Sequence, residues 1–161
     1  MIRIEPAGPA DVSLLRDMIR ELAVYEHLAD QAIATEADVR EALFGPRPAA
    51  EALIAYADDH PAAFALFFHN FSTFLGRRGL YLEDLFVRPA FRRRGIGRRL
   101  LGEVARLAVE RGCGRFEWSV LDWNESAIAF YKSLGAVPMA DWTTFRVSGD
   151  ALTRLAGTTV R

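Results

Sequence analysis

Apolar and polar positions alternate along Ile2-Arg3-Ile4, which predicts a short strand with one covered face. After Gly8-Pro9-Ala10-Asp11 the period becomes helical. Leu14, Leu15, Met18, Ile19 and Leu22 fall on one stripe, and Pro9 occupies a first-turn position where proline is tolerated. Thr35-Glu36-Ala37-Asp38 has the form of a capping box and predicts a second, short helix, ended by Gly45-Pro46-Arg47-Pro48. Strand character returns over 51–57. Asp58-Asp59-His60-Pro61 reads as a turn, and the phenylalanine-rich run 62–71 as the hairpin partner. Another turn is expected at Gly76-Arg77-Arg78-Gly79, then a third strand over 80–87, stopped by Arg88-Pro89.

The longest predicted helix runs from Gly95 to Arg111. Ile96, Leu100, Val104, Leu107 and Ala108 form its buried stripe, and Gly112 suits a C-terminal cap. A strand over 116–121 follows. Asn124 then caps a helix with inner face Ala127, Phe130, Tyr131 and Leu134, closed by Gly135. One or two strands around 143–147 and a short helix over 150–156 complete the prediction. This order implies an α/β (α+β) fold: a mixed sheet with helices on its faces.

Length fits one domain over residues 1–161, and 51% apolar residues suffice for a sizeable core. A formal charge of −1 argues against a general nucleic-acid binder, so no nucleic-acid partner is expected. Cys113 is the only cysteine, which excludes an intrachain disulfide and a multi-cysteine zinc site. His27, His60 and His69 are scattered, so no metal is expected. The start is too polar for a signal peptide and no apolar run approaches a membrane span; a cytoplasmic protein without membrane association is expected.

The motif that narrows the chemistry is Arg92-Arg93-Arg94-Gly95-Ile96-Gly97, between a strand and a long helix. Glycines let the backbone turn tightly and approach a ligand. Free N–H groups and the dipole at a helix start favour an anion, and a polyphosphate fits. Arg98 and Arg99 add charge. A Rossmann turn would need a third glycine where Leu100 stands, and no Gly-Lys-Ser/Thr of a P-loop follows. A merely solvated basic face is the plain alternative.

Glu83 and Asp84 interrupt the apolar strand over 80–87. Neighbouring strand residues point to opposite faces, so at least one acid faces a covered side, where an unpaired carboxylate has a raised pKa. They read as salt-bridged acids, as acids at a sheet edge, or as groups that attract a cationic amine and accept its proton. An amine attacks a carbonyl only when neutral, and at pH 7 its deprotonation costs about 4 kcal/mol. A positioned carboxylate meets that need. Tyr131, on an apolar stripe, reads from the pattern alone as a core tyrosine.

Arg-x-x-Gly-x-Gly after an apolar strand resembles the acetyl-CoA loop of the GNAT superfamily. Within it, the chain is similar to the spermidine/spermine and thialysine acetyltransferase branch. The matching segments are residues 21–26 (Glu-Leu-Ala-Val-Tyr-Glu), 80–87 (Leu-Tyr-Leu-Glu-Asp-Leu-Phe-Val), Trp123-Asn124-Glu125-Ser126, Phe130-Tyr131-Lys132 and Gly135-Ala136. They span nearly the whole chain in order. The resemblance implies direct acetyl transfer from acetyl-CoA to an amine in a ternary complex, and a homodimer. It implies catalytic roles for Glu83, as base or water relay, and Tyr131, as the acid for the departing thiolate. It implies acetyl-CoA contacts from Leu85, Phe86, Val87, Arg92, Arg93, Arg94, Gly95, Ile96, Gly97, Arg98, Asn124, Ser126 and Tyr131. Tyr25, Glu26, Glu83, Asp84 and Asp141 are the expected substrate pocket. Val24, where polyamine enzymes often carry a basic residue, and a short stretch after Gly135 depart from the polyamine pattern. The acceptor therefore stays open among diamines, polyamines, thialysine and similar amines. Two other readings are a protein N-terminal acetyltransferase and a non-catalytic acetyl-CoA sensor.

Overall fold

Why strand pairs form where they do is plainest at Asp58 and Asp59, whose φ angles of 50° and 64° make the tight turn between two strands. Two successive left-handed residues twist the chain in the sense a hairpin needs. In the computed structural model, which describes residues 1–157, these strands are β2 (Glu51–Ala57) and β3 (His60–Ser72). The last four residues of the domain expected over 1–161 lie outside the described residues. The chain divides into two compact units, Met1–Leu121 and Asp122–Arg161.

The first unit holds β1 (Ile2–Pro6), α1 (Val12–Tyr25), α2 (Glu36–Phe44), β2, β3, β4 (Arg77–Val87), α3 (Ile96–Glu110) and β5 (Arg115–Trp118). The sheet order is β1-β2-β3-β4-β5; the first three pairings are antiparallel and β4–β5 is parallel. The mixed, mostly antiparallel sheet expected from the sequence is therefore present. The Thr35 capping box forms as predicted: the Asp38 N–H donates to Thr35 Oγ1 at 3.2 Å and the Thr35 N–H donates to Asp38 Oδ2 at 2.8 Å.

Val12, Leu15, Met18 and Leu22 of α1 and Val39 and Leu43 of α2 pack on Ile54, Phe64 and Phe86, forming a core on one sheet face. α3 covers the other face. Its Gly97 lies against Val87, the strand neighbour of Phe86, and Arg111 just past its end reaches the ring of Phe67. Ile96, Leu100, Leu101, Val104 and Ala108 are its buried residues, close to the predicted stripe.

Three strands differ from expectation. β3 begins at His60, because Asp58 and Asp59 alone make the turn and His60 already pairs with Ala57. β4 begins at Arg77, so the turn falls at 73–76 instead of 76–79. β5 stops at Trp118, three residues early, because its last backbone partner is Leu82. Immediately beyond, the register of β3 on β4 shifts: Phe67 opposes Leu82 and Leu66 opposes Asp84, leaving Glu83 as an extra, bulged residue. A bulge bends its strand and increases the local twist, and β4 parts from β5 at that point.

The second unit contains α4 (Glu125–Ser133) and α5 (Gly149–Leu155). Asn124 Oδ1 accepts from the Ala127 N–H at 3.3 Å, the predicted cap, and Gly135 follows the helix with φ 88°. The strands expected around 143–147 are not present. A strand needs a neighbour for its N–H and C=O groups, and among the described residues this unit offers none. Phe145 and Val147 stand exposed.

Candidate active site

The bulge at Glu83 sets the site. Without it Leu82 and Asp84 would share a face. With it Leu82 keeps to the α3 side with Phe67, while Asp84 aligns with Leu66 and Phe86 on the α1 side. There Asp84 is half-buried, and its pKa is raised from 3.8 to about 7. Burial is the main cause, followed by repulsion from Glu83 and then from Glu26 just after α1. Glu26 is itself raised by burial. Among the described residues none of the three carboxylates forms an ion pair. The salt-bridged alternative for the two adjacent acids is thus not what this structure holds. Glu83 is exposed at the rim.

The same divergence frees part of β4's backbone. The Arg88 N–H donates to Ala62 O at 2.9 Å, so residues 84, 86 and 88 turn their backbone groups to β3. Leu85 and Val87 therefore direct theirs to the side that β5 has left. A side-chain link, Tyr81 Oη to Ser119 Oγ at 2.8 Å, ties the two strands at the mouth of this opening. Phe86 presents its ring to the core, 6.5 Å from Phe64.

Beyond β4 the chain makes a turn at 89–91 and enters the glycine loop. Arg93 and Gly95 both take positive φ, 63° and 73°, and Gly95 is the residue before α3. The first helical bond runs from the Arg99 N–H to Gly95 O at 3.1 Å. By helix geometry the N–H groups of Ile96, Gly97 and Arg98 precede any such acceptor and face outward. A Cβ on Gly97 would sit 3.4 Å from Val87 Cγ2, so α3 starts close against β4's end. Arg93, Arg94, Arg98 and Arg99 are exposed and, among the described residues, none is in an ion pair. Exposed amides, a helix dipole and unneutralised guanidinium groups together suit a diphosphate. The free β4 edge beside them suits an extended amide-bearing chain. Acetyl-CoA, which has both parts, fits these residues.

Two contacts escaped the sequence. Arg88, read there only as a strand stop, donates from Nε (2.9 Å) and Nη2 (2.7 Å) to the Glu21 carboxylate and from Nη1 to Pro61 O (2.9 Å). Arg92 donates from Nε to Val87 O at 3.0 Å and lays its guanidinium 4.5 Å from the Tyr25 ring centroid. Partners 67 residues apart leave no local spacing signal.

The first unit thus brings together Tyr25, Glu26, Glu83, Asp84, residues 85–87 and the loop 92–98. Asn124, Ser126, Tyr131 and Asp141 belong to the second unit. There Tyr131 lies on α4 with its ring 5.5 Å from that of Phe130, Ser126 Oγ donates to Asn124 Oδ1 at 3.3 Å, and Asp141 sits in an exposed turn. Among the described residues no group of three or more His, Cys, Asp or Glu side chains is placed to hold a metal ion, and no helix is long and apolar enough to cross a membrane.

Sequence comparison identifies the class of protein that carries this parted sheet and glycine loop. Residues 21–136 match the acetyltransferase (GNAT) family, and the chain belongs to that family. It is 37% identical to thialysine N-epsilon-acetyltransferase of Sus scrofa, covering 97% of this chain and 98% of that one. It is 33% identical to L-ornithine N5-acetyltransferase of Arabidopsis thaliana, covering 93% of this chain and 86% of that one. A solved structure of an integron cassette protein from the mobile metagenome of V. cholerae superposes with a TM-score of 0.81 at 28% identity, covering 96% and 97%. The chain is a GNAT N-acetyltransferase, a family that uses acetyl-CoA.

Proposed function

We propose that this enzyme acetylates a primary amine of a small diamine or basic amino acid by direct attack on acetyl-CoA in a ternary complex. The observation that carries this reading is the cluster of Glu26, Glu83 and Asp84, without a neutralising cation, beside the freed edge of β4. Buried acids left unpaired are costly; an ammonium group arriving from solvent supplies the missing partner. Polyamines, thialysine and ornithine are all amines of this kind.

The thioester supplies a carbonyl open to attack. The backbone N–H groups of Leu85 and Val87 line the edge where it would lie and supply donors for the developing oxyanion. Asp84, with a pKa near neutrality, is the group best matched to take the amine's proton. Glu83, expected from resemblance as base or water relay, stands at the exposed rim and passes the proton to water. The negative charges of Glu83 and Glu26 add to burial in holding the Asp84 proton. Tyr131 is the proposed acid for the thiolate, on the resemblance. Tyr131→Phe should lower kcat by about 10²-fold with acetyl-CoA affinity changed little; unchanged turnover would remove that role. A single catalytic domain, a cytoplasmic setting and a homodimer belong to the same proposal, and light scattering on the purified chain checks the last.

A panel of diamines, polyamines, thialysine, ornithine, lysine and an N-terminal peptide, assayed for free thiol release from acetyl-CoA, tests the reading. Turnover confined to small amines carrying a second charged group supports it. Preference for the peptide, or tight acetyl-CoA binding without turnover on any amine, overturns it.

A further inference from the structure

Glu21 and Tyr25 lie four residues apart on α1, hence on one face of the helix. Arg88 and Arg92 are also four apart, on the segment that leaves β4, and each meets one of that pair. Arg88 clasps Glu21 with two hydrogen bonds, and Arg92 stacks on Tyr25. The two rungs differ in what they stand on. Arg88 is fixed to the sheet through its own N–H on Ala62 O and its side chain on Pro61 O. Arg92 opens the glycine loop, immediately before the strained Arg93. Its guanidinium also holds Val87 O and lies 5.9 Å from the Phe86 ring. It therefore touches the loop, the free edge of β4 and the end of α1 at once. Glu26, the next residue after Tyr25, bears directly on Asp84.

We propose that Arg92 is a positioning residue that couples filling of the phosphate loop to the wall of the amine pocket. Accepting the acetyltransferase reading above, a diphosphate that orders the loop fixes the Arg92 backbone. The stacked guanidinium then fixes Tyr25 and, with it, Glu26 opposite Asp84. Coupling between two binding equilibria is reciprocal, so the amine must tighten coenzyme binding by the same factor. An exposed guanidinium over a half-buried ring supports a factor of roughly two- to fivefold. A lysine at 92 would keep the charge but lose the flat stack and its geometry.

Calorimetry on the whole chain tests this, using the best amine from the panel and unacylated CoA, which carries the diphosphate but cannot react. The quantity read is the ratio of amine Kd without CoA to that with saturating CoA. The expected ratio is about three to five in the native protein and near one in Arg92→Lys. Tyr25→Leu should also bring the ratio near one, and the double variant should lose nothing more. A ratio near one in the native protein, or one that survives both substitutions, overturns the proposal. So does a tenfold or larger weakening of CoA in Arg92→Lys with the ratio intact, which would make Arg92 a plain phosphate ligand. Turnover of the panel in any of these cases leaves the acetyltransferase reading standing; absence of all turnover removes both.

Discussion

Asp84→Asn is expected to give a protein that is more stable at pH 8 yet turns over about 10²-fold more slowly. The stability half follows from the sign of its pKa shift. The folded state raises the Asp84 pKa from 3.8 to about 7, so the fold holds this proton more tightly than the unfolded chain does. Stability from this group is intact below about pH 4, falls as pH rises toward 7, and is flat above. The loss amounts to a few kcal/mol, at most about 4. Asparagine has the same shape and no charge to desolvate, so it escapes that loss. For a chain of this size the melting temperature should rise on the order of 5 °C at pH 8 and hardly at all at pH 4. The activity half follows from the proton. In the native enzyme kcat/KM should climb through an apparent pKa near 7 as Asp84 ionises, and the variant should lose that limb. Melting curves at the two pH values and a pH–rate profile check both halves. A variant as active as the parent, with the same profile, would move the base elsewhere, Glu83 being the next choice.

The second large effect is expected at Gly95. Its φ of 73° is left-handed, where a β-branched side chain is a marked outlier. Gly95→Val costs about 1–2 kcal/mol in place, so the loop should relax instead and turn the amides of Ile96 and Gly97 off their common direction. Losing two charge-assisted hydrogen bonds to phosphate, each about 1.5–3 kcal/mol, predicts acetyl-CoA binding weaker by at least about 10²-fold. The first unit's core is untouched by this change, so thermal stability should fall only slightly. Calorimetric titration with acetyl-CoA measures the effect, and near-native affinity would count against the cradle.

Most of the architecture could be read from periodicity because most elements cover one face. The α1 and α3 stripes, the Thr35 box and the Asn124 cap all act over four residues or fewer, and all are present. The glycine loop was legible for the same reason, since turn, cap and charge lie within seven residues. What stayed hidden depends on partners far away in the chain. Glu83 and Asp84 were visible as acids, but only the slip against Leu66 and Phe67 shows which of them is buried. Arg88 read only as a strand stop and Arg92 only as part of the glycine motif, although one is a clasp on Glu21 and the other a stack on Tyr25. The strands expected around 143–147 failed because alternation records a preference for a covered face and does not supply a neighbouring strand.

Backbone amide shifts on titration with acetyl-CoA test the central claim most directly, in a uniformly nitrogen-labelled sample. The largest changes should fall on Gly95, Ile96, Gly97 and Arg98 at the start of α3 and on Leu85 and Val87 at the open edge of β4. Saturable changes confined to the far end of α3, around Arg106 and Arg111, with the loop amides unmoved, would contradict it.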